Sequence, residues 1–296
     1  MIKIISNLKL SLFFSSVFLV VFFKEVKIYP VFSLEKYLPG NLVSQNRLNS
    51  EPVNFVDPNL ELAIREELNI ASPQPITRES VSKITKLDLE ARSIARLDGI
   101  EAMTNLRELN LKYNYYISNL TPLAKLTKLN KLTLEKNQIK DISALKNLTQ
   151  LEWLSLDDNQ IVDITSLKDL TQLEWLSLHD NRIVDLTPLK DLTQLEWLSL
   201  DDNEIVKIDP LINLTQLEWL SLHDNRIVDL TAIGNLTQLE WLSLNDNQIV
   251  DITALSKLSN LKTLNLSYNQ ITNFSPLKKD LKLASCSGCK KSEQDF

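Results

Sequence analysis

Apolar residues recur along most of this chain with a period of 22, in the frame LxxLxLxxNxIxxLxxLxxLTx. Nine copies begin at Ile84, Leu106, Leu129, Leu151, Leu173, Leu195, Leu217, Leu239 and Leu261. The second is 23 long, with an extra tyrosine in NYYIS at Asn114 to Ser118, and the ninth loses the frame after Leu277. In LEWLSL, from Leu151 to Leu156, the fourth and sixth residues are leucines alternating with polar or outward positions, the period of a strand. Strands from successive copies then stack as a parallel sheet. The following apolar positions of the fourth copy, Ile161, Ile164, Leu167 and Leu170, lie three apart, which predicts tight turns or short 3-10 pieces rather than a full helix. One copy cannot bury its own leucines, so stacked neighbours must supply a continuous core. The predicted architecture is an α/β solenoid.

Asn114, Asn137, Asn159, Asn181, Asn203, Asn225, Asn247 and Asn269 form one column after the strand. An amide buried there can satisfy backbone groups of its own turn and of the adjoining coil, as burial demands. Arg92 replaces it in the first copy, as expected of an atypical terminal repeat. Ahead of the repeats, VNFVDPNLELAIREELNI at Val53 to Ile70 predicts a short amphipathic helix. Asp57 is its N-cap and Pro58 its first residue, with Leu60, Ile64 and Leu68 on one face. Such a helix covers the open end of the first coil.

The segments FVDPNLELAIREEL and ITRESVSKITKLDLEARSIARLDGIEAMTNLRELNL, with repeats carrying NQIVDITSL and NRIVDLTPLKDLTQ, resemble the cap and repeats of internalin-like bacterial leucine-rich repeat proteins. The likeness runs from Val53 to Leu277. It implies a right-handed horseshoe with strands on the concave face, 3-10 or irregular segments on the convex face, a helical cap, and protein ligands bound on the concave side. No immunoglobulin-like module, sorting motif or wall-binding repeat follows the repeats, so host invasion is not carried over. The expected organisation is 1–33 a signal peptide or short anchor, 34–52 a linker, 53–83 the cap, 84–277 the repeats, and 278–296 a tail.

Charge and composition narrow the partners. From Leu151 to Asn260 there are 20 acidic and 6 basic side chains, a net of −14, within a chain of net −6. A surface this acidic repels a phosphate backbone, so nucleic acid is not expected as a partner. Lys3 and Lys9 precede an uncharged run, Leu10 to Phe23, short for a bilayer span but suited to the core of a signal peptide. Export to the periplasm, cell surface or exterior follows, with membrane contact only through this N-terminal segment. The two cysteines, Cys286 and Cys289 in CSGC, are expected to form a local disulfide in an exported chain.

All five tryptophans, Trp153, Trp175, Trp197, Trp219 and Trp241, occupy the third position of consecutive copies. Serines fill the fifth position, and Asp157, His179, Asp201, His223 and Asn245 the seventh. Third, fifth and seventh positions should all face outward on the concave side. Glu152, Glu174, Glu196, Glu218 and Glu240 run along one flank, and Asp158, Asp180, Asp202, Asp224 and Asp246 along the other. The aromatic strip marks an interaction site, because exposed apolar patches and tryptophan are both enriched in interfaces. Two ligands suit it: a protein or peptide with basic groups, which the family resemblance favours, or as the alternative a polysaccharide stacked on the rings and bonded by Ser, Asp and His. Inheritance by repeat duplication, with rings stabilising one another and no ligand, is the third account. Asp157, His179, Asp201 and His223, on adjacent strands, have the residue types of metal ligands or an acid–base pair. An open ladder excludes no water and has no nucleophile motif, so no enzyme, metal or cofactor is expected. The expected function is a monomeric, non-enzymatic binding module.

Overall fold

The computed structural model describes residues 48–277 and the strand Lys282–Ser285. The N-terminal apolar run and the Cys286/Cys289 pair lie outside the described residues. A helix α1 (Pro58–Leu68) and a short helix α2 (Arg78–Val81) precede a single sheet of ten parallel strands in sequence order. Its strands are β1 (Lys86–Asp88), β2 (Glu108–Asn110), β3 (Lys131–Thr133), β4 (Trp153–Ser155), β5 (Trp175–Ser177), β6 (Trp197–Ser199), β7 (Trp219–Ser221), β8 (Trp241–Ser243), β9 (Thr263–Asn265) and β10 (Lys282–Ser285). Short 3-10 turns, such as Thr165–Leu167 and Thr187–Leu189, form the opposite side of each coil. This is the repeat solenoid that the period predicts, with the right hand and the concave strands that the family resemblance implies. The repeat frame does not predict β10, which pairs with β9 through a register irregularity between Leu283 and Ser285.

The frame leucines and isoleucines are the core: Leu151, Leu154, Leu156, Ile161, Leu167 and Leu170 are all wholly buried. Stacking in strict register makes that core continuous, since Leu154, Leu176, Leu198, Leu220 and Leu242 pair strand to strand. The asparagine column joins the coils. In Asn181, Nδ2 donates to the carbonyls of Leu156 (3.0 Å), Leu178 (3.1 Å) and His179 (3.2 Å), while Oδ1 accepts from Ile161 N–H at 2.9 Å. Just before it, column eight turns the chain: Asp158, Asp180, Asp202, Asp224 and Asp246 all have φ between 49° and 56°. Aspartate tolerates this left-handed conformation better than most residues.

The 23-residue copy breaks one bond of this scheme. Tyr113 and Tyr115 both take positive φ around Asn114, and the extra residue displaces the Ile117 N–H. Asn137 still donates to Leu111, Leu134 and Glu135, but its buried Oδ1 has no partner.

At the N-terminal end Asp57 does two jobs. Its Oδ1 caps α1, accepting from Asn59 N–H (2.9 Å) and Leu60 N–H (3.4 Å). Its Oδ2 accepts from Ala95 N–H (2.7 Å) and Arg96 N–H (3.0 Å) in the first repeat, fastening the helix to the solenoid. Burial pushes this carboxyl up, but the four backbone N–H groups outweigh it and hold it below the ordinary carboxylate value. Gly99 completes the seam: at φ 105° it packs so closely that a Cβ would stand 2.7 Å from the Phe55 ring. Arg92, where later copies have asparagine, reaches Glu66 of α1 at 2.8 Å instead.

Candidate functional site

Parallel pairing places Trp153, Trp175, Trp197, Trp219 and Trp241 directly opposite one another. The rings stack with centroids 3.9, 4.3, 4.1 and 4.4 Å apart, tilted by 11° at most. That spacing is tighter than the ~4.8 Å between strands, so the indoles lean together. Their faces are consumed by each other, each ring is half-buried, and what the ladder presents outward is ring edge. The outer face of Trp153 is covered too, by the Lys131 ammonium 4.5 Å from its centroid. The fully exposed strip expected from the sequence is therefore a ribbon of half-buried ring edges.

A second expectation fails outright. Ser155, Ser177, Ser199, Ser221 and Ser243 are buried, not presented. A small side chain between a tryptophan and a longer column-seven residue on one face sits below both. Their hydroxyls bond inward or sideways, Ser199 Oγ to Asp201 Oδ2 at 2.8 Å and Ser243 Oγ to Asn245 Oδ1 at 2.6 Å.

Glu152, Glu174 and Glu196 line a groove of about 310 Å³ beside Trp153, Trp175 and Trp197. Glu240 pairs with Lys262 at 2.6 Å. Among the described residues no basic side chain pairs with Glu152, Glu174, Glu196 or Glu218, so this flank keeps its negative charge.

Column seven alternates in role as well as identity. Asp157 Oδ1 accepts the His179 backbone N–H at 2.9 Å, and Asp201 Oδ1 accepts that of His223 at 3.0 Å. Burial pushes the Asp157 carboxyl above its ordinary value, against hydrogen bonds from Ser177 and His179 that lower it. The histidines lean toward each other across β6, ring centroids 6.3 Å apart. Asp202 stands beneath both: its Oδ2 is 3.3 Å from His179 Nδ1 and 3.9 Å from His223 Nδ1. His179, Asp202 and His223 offer ligand atoms all within 4.8 Å of one another. Burial raises the Asp202 carboxyl, while the neighbouring histidines pull it down. Asp157 does not join this group. Asp202 was placed on the flank by sequence because column eight is one residue past the strand; its left-handed turn brings the carboxylate back toward column seven.

Family models for leucine-rich repeats match residues 127–183, 171–227 and 193–249, and a two-copy repeat model matches 104–147 and 237–279. No curated protein matches the chain significantly. An internalin (InlF) structure from Listeria monocytogenes is similar at 38% identity and a TM-score of 0.76, covering 79% of this chain and 70% of that one. Internalin C2 from the same organism is similar at 31% identity and a TM-score of 0.63, covering 81% of this chain and 97% of that one. InlJ, whose functional domain includes a cysteine ladder, shares the fold at 24% identity and a TM-score of 0.55, covering 79% of this chain and 60% of that one. Among the described residues, no helix is long and apolar enough to cross a membrane.

Proposed function

Because the chain belongs to the internalin-like family of leucine-rich repeat proteins, we propose that it is a non-enzymatic protein-binding module of the cell envelope or exterior. Its ligand is a protein segment, basic and extended, lying along the concave face. Trp153, Trp175, Trp197, Trp219 and Trp241 form the floor, and the column-seven residues Asp157, His179, Asp201 and His223 border it. The carrying observation is the combination of an edge-on indole ribbon with Glu152, Glu174, Glu196 and Glu218, which pair with no basic side chain among the described residues. Ring edges are electropositive and suit peptide carbonyls. The free glutamates suit Lys and Arg side chains. The polysaccharide alternative loses support, since sugars stack on ring faces and the ladder has used nearly all of its faces internally.

The test is a panel of extended synthetic peptides graded in charge, alongside neutral oligosaccharides, titrated against the chain by tryptophan fluorescence at low and high salt. Basic peptides should bind most tightly and weaken as salt screens the glutamates. The Trp175→Ser/Trp197→Ser/Trp219→Ser variant, shown by circular dichroism to be folded, should lose binding. Equal affinity for acidic peptides, or salt-insensitive binding of the oligosaccharides alone, would sink the reading.

A further inference from the structure

We infer that His179, Asp202 and His223 form a binding site for a divalent transition-metal ion of the zinc class, beside the tryptophan ladder and at the border of the proposed peptide groove. Two observations carry it. First, one carboxylate and two imidazoles from three consecutive coils converge, their ligand atoms within 4.8 Å of one another. Two donors on one tetrahedral zinc lie about 3.4 Å apart, given bond lengths of about 2.0–2.1 Å. The 3.3 and 3.9 Å separations from Asp202 Oδ2 to the two Nδ1 atoms are already close to that value.

Second, both Nδ1 atoms are buried and make no hydrogen bond, although the imidazoles as a whole are only partly covered. At 3.3 Å the Asp202 oxygen is near His179 Nδ1 but is not aligned to hydrogen-bond with it. Buried polar atoms without partners are uncommon and costly; here His179 Nδ1 faces Asp202 Oδ2 and His223 Nδ1 lies near both Asp202 Oδ2 and Asp224 Oδ2, an arrangement that a shared cation would satisfy. Neutral imidazole favours zinc, copper or nickel over calcium or magnesium.

The surroundings resemble a prepared outer shell. Asp201 Oδ2 lies 3.8 Å from His223 Nε2, the nitrogen that would not bind metal, and is itself fixed by Ser199 Oγ at 2.8 Å. A carboxylate behind a ligating histidine orients the ring and strengthens the ligand. Asp224 Oδ2 lies 3.5 Å from His223 Nδ1. The 44-residue alternation makes this possible once only: histidine occurs in the fifth and seventh copies, and Asp202 is the turn aspartate between them.

The experiment is calorimetric titration of the tag-free full chain with Zn²⁺, with Co²⁺ as an absorbing probe and Ca²⁺ as control. One zinc should bind per chain. His179→Asn, His223→Asn and Asp202→Asn should each weaken it by roughly tenfold or more. Asparagine suits both positions, since Asn245 occupies column seven in the eighth copy and the left-handed turn accepts it. Asp158→Asn, and the Cys286→Ser/Cys289→Ser pair, should leave zinc affinity unchanged. Visible Co²⁺ bands should vanish in the histidine variants while circular dichroism stays constant. Absence of saturable zinc binding, loss of binding with the cysteines rather than the histidines, or equal binding of Ca²⁺ would each overturn the site.

Discussion

The misaligned turn in the second copy makes a quantitative contrast possible within one column. Asn137 and Asn181 are equally buried, at 7% exposure each, and each donates three bonds to backbone carbonyls. They differ at Oδ1, which accepts Ile161 N–H in one case and nothing in the other. Asn181→Ala therefore loses the donor bonds and also strands a buried N–H, an added cost of about 1–3 kcal/mol. Asn137→Ala loses the donor bonds but removes an oxygen that was already unsatisfied. Asn181→Ala should accordingly be the more destabilising by about 2 kcal/mol. Asn159→Ala and Asn203→Ala, fully bonded neighbours, should behave like Asn181→Ala and control for position along the solenoid. Urea unfolding followed by circular dichroism and by tryptophan fluorescence measures all four, and both probes are needed because repeat arrays can unfold in parts. Deleting Tyr116 should restore the 22-residue frame and raise the cost of Asn137→Ala toward the others. Equal destabilisation at Asn137 and Asn181 would refute the account of the insertion.

Two titrations follow from named carboxylates. Asp57 is held below its ordinary value when folded, so its contribution is complete above about pH 4 and is lost as pH falls through the lowered folded value. The stability gap between the parent and Asp57→Asn should shrink on acidification; a gap independent of pH counts against the double capping role. Asp157 has the opposite sign. Its folded value is raised by burial, so ionisation costs stability as pH rises above about 4. Asp157→Asn should therefore melt higher than the parent near neutrality, with the gain disappearing in acid, and a variant less stable at neutral pH refutes it.

The solenoid was readable in advance because its information is redundant. The frame leucines of the first eight copies are buried, and apart from Asn137 the asparagine column bonds as its chemistry demanded, since strict stacking turns a sequence period directly into a spatial one. The site was read less well, for reasons of side-chain size and turn direction rather than of backbone. Alternation gives the face of a residue but not its height above the sheet, so the serines were placed at a surface that their taller neighbours cover. Nor does alternation say which way an aromatic ring leans. The tryptophans close to 3.9–4.4 Å and present edges, and this reverses which ligand chemistry suits them. Asp202 was assigned to a flank because column eight follows the strand, whereas a φ of 51° returns its carboxylate to the histidines.

Columns that repeat every 22 residues and a column that alternates every 44 explain why one scaffold carries both a uniform and a discrete feature. A column copied in every repeat, such as the tryptophans or glutamates, generates a stripe whose properties scale with length, suited to an extended partner. A column that alternates over 44 residues brings unlike groups from neighbouring coils together at single points instead. His179 and His223 are two coils apart, yet their ring centroids lie 6.3 Å from each other across an intervening copy that has aspartate at both column seven and column eight. Asp201 accepts the backbone N–H of His223 and lies beside its ring, while Asp202 lies within 3.9 Å of both Nδ1 atoms. Replacing the column-seven aspartate of the sixth copy with histidine would destroy that division of labour even while adding an imidazole. The discrete site thus depends on the mismatch between the 22- and 44-residue periods, and the stripe on their agreement.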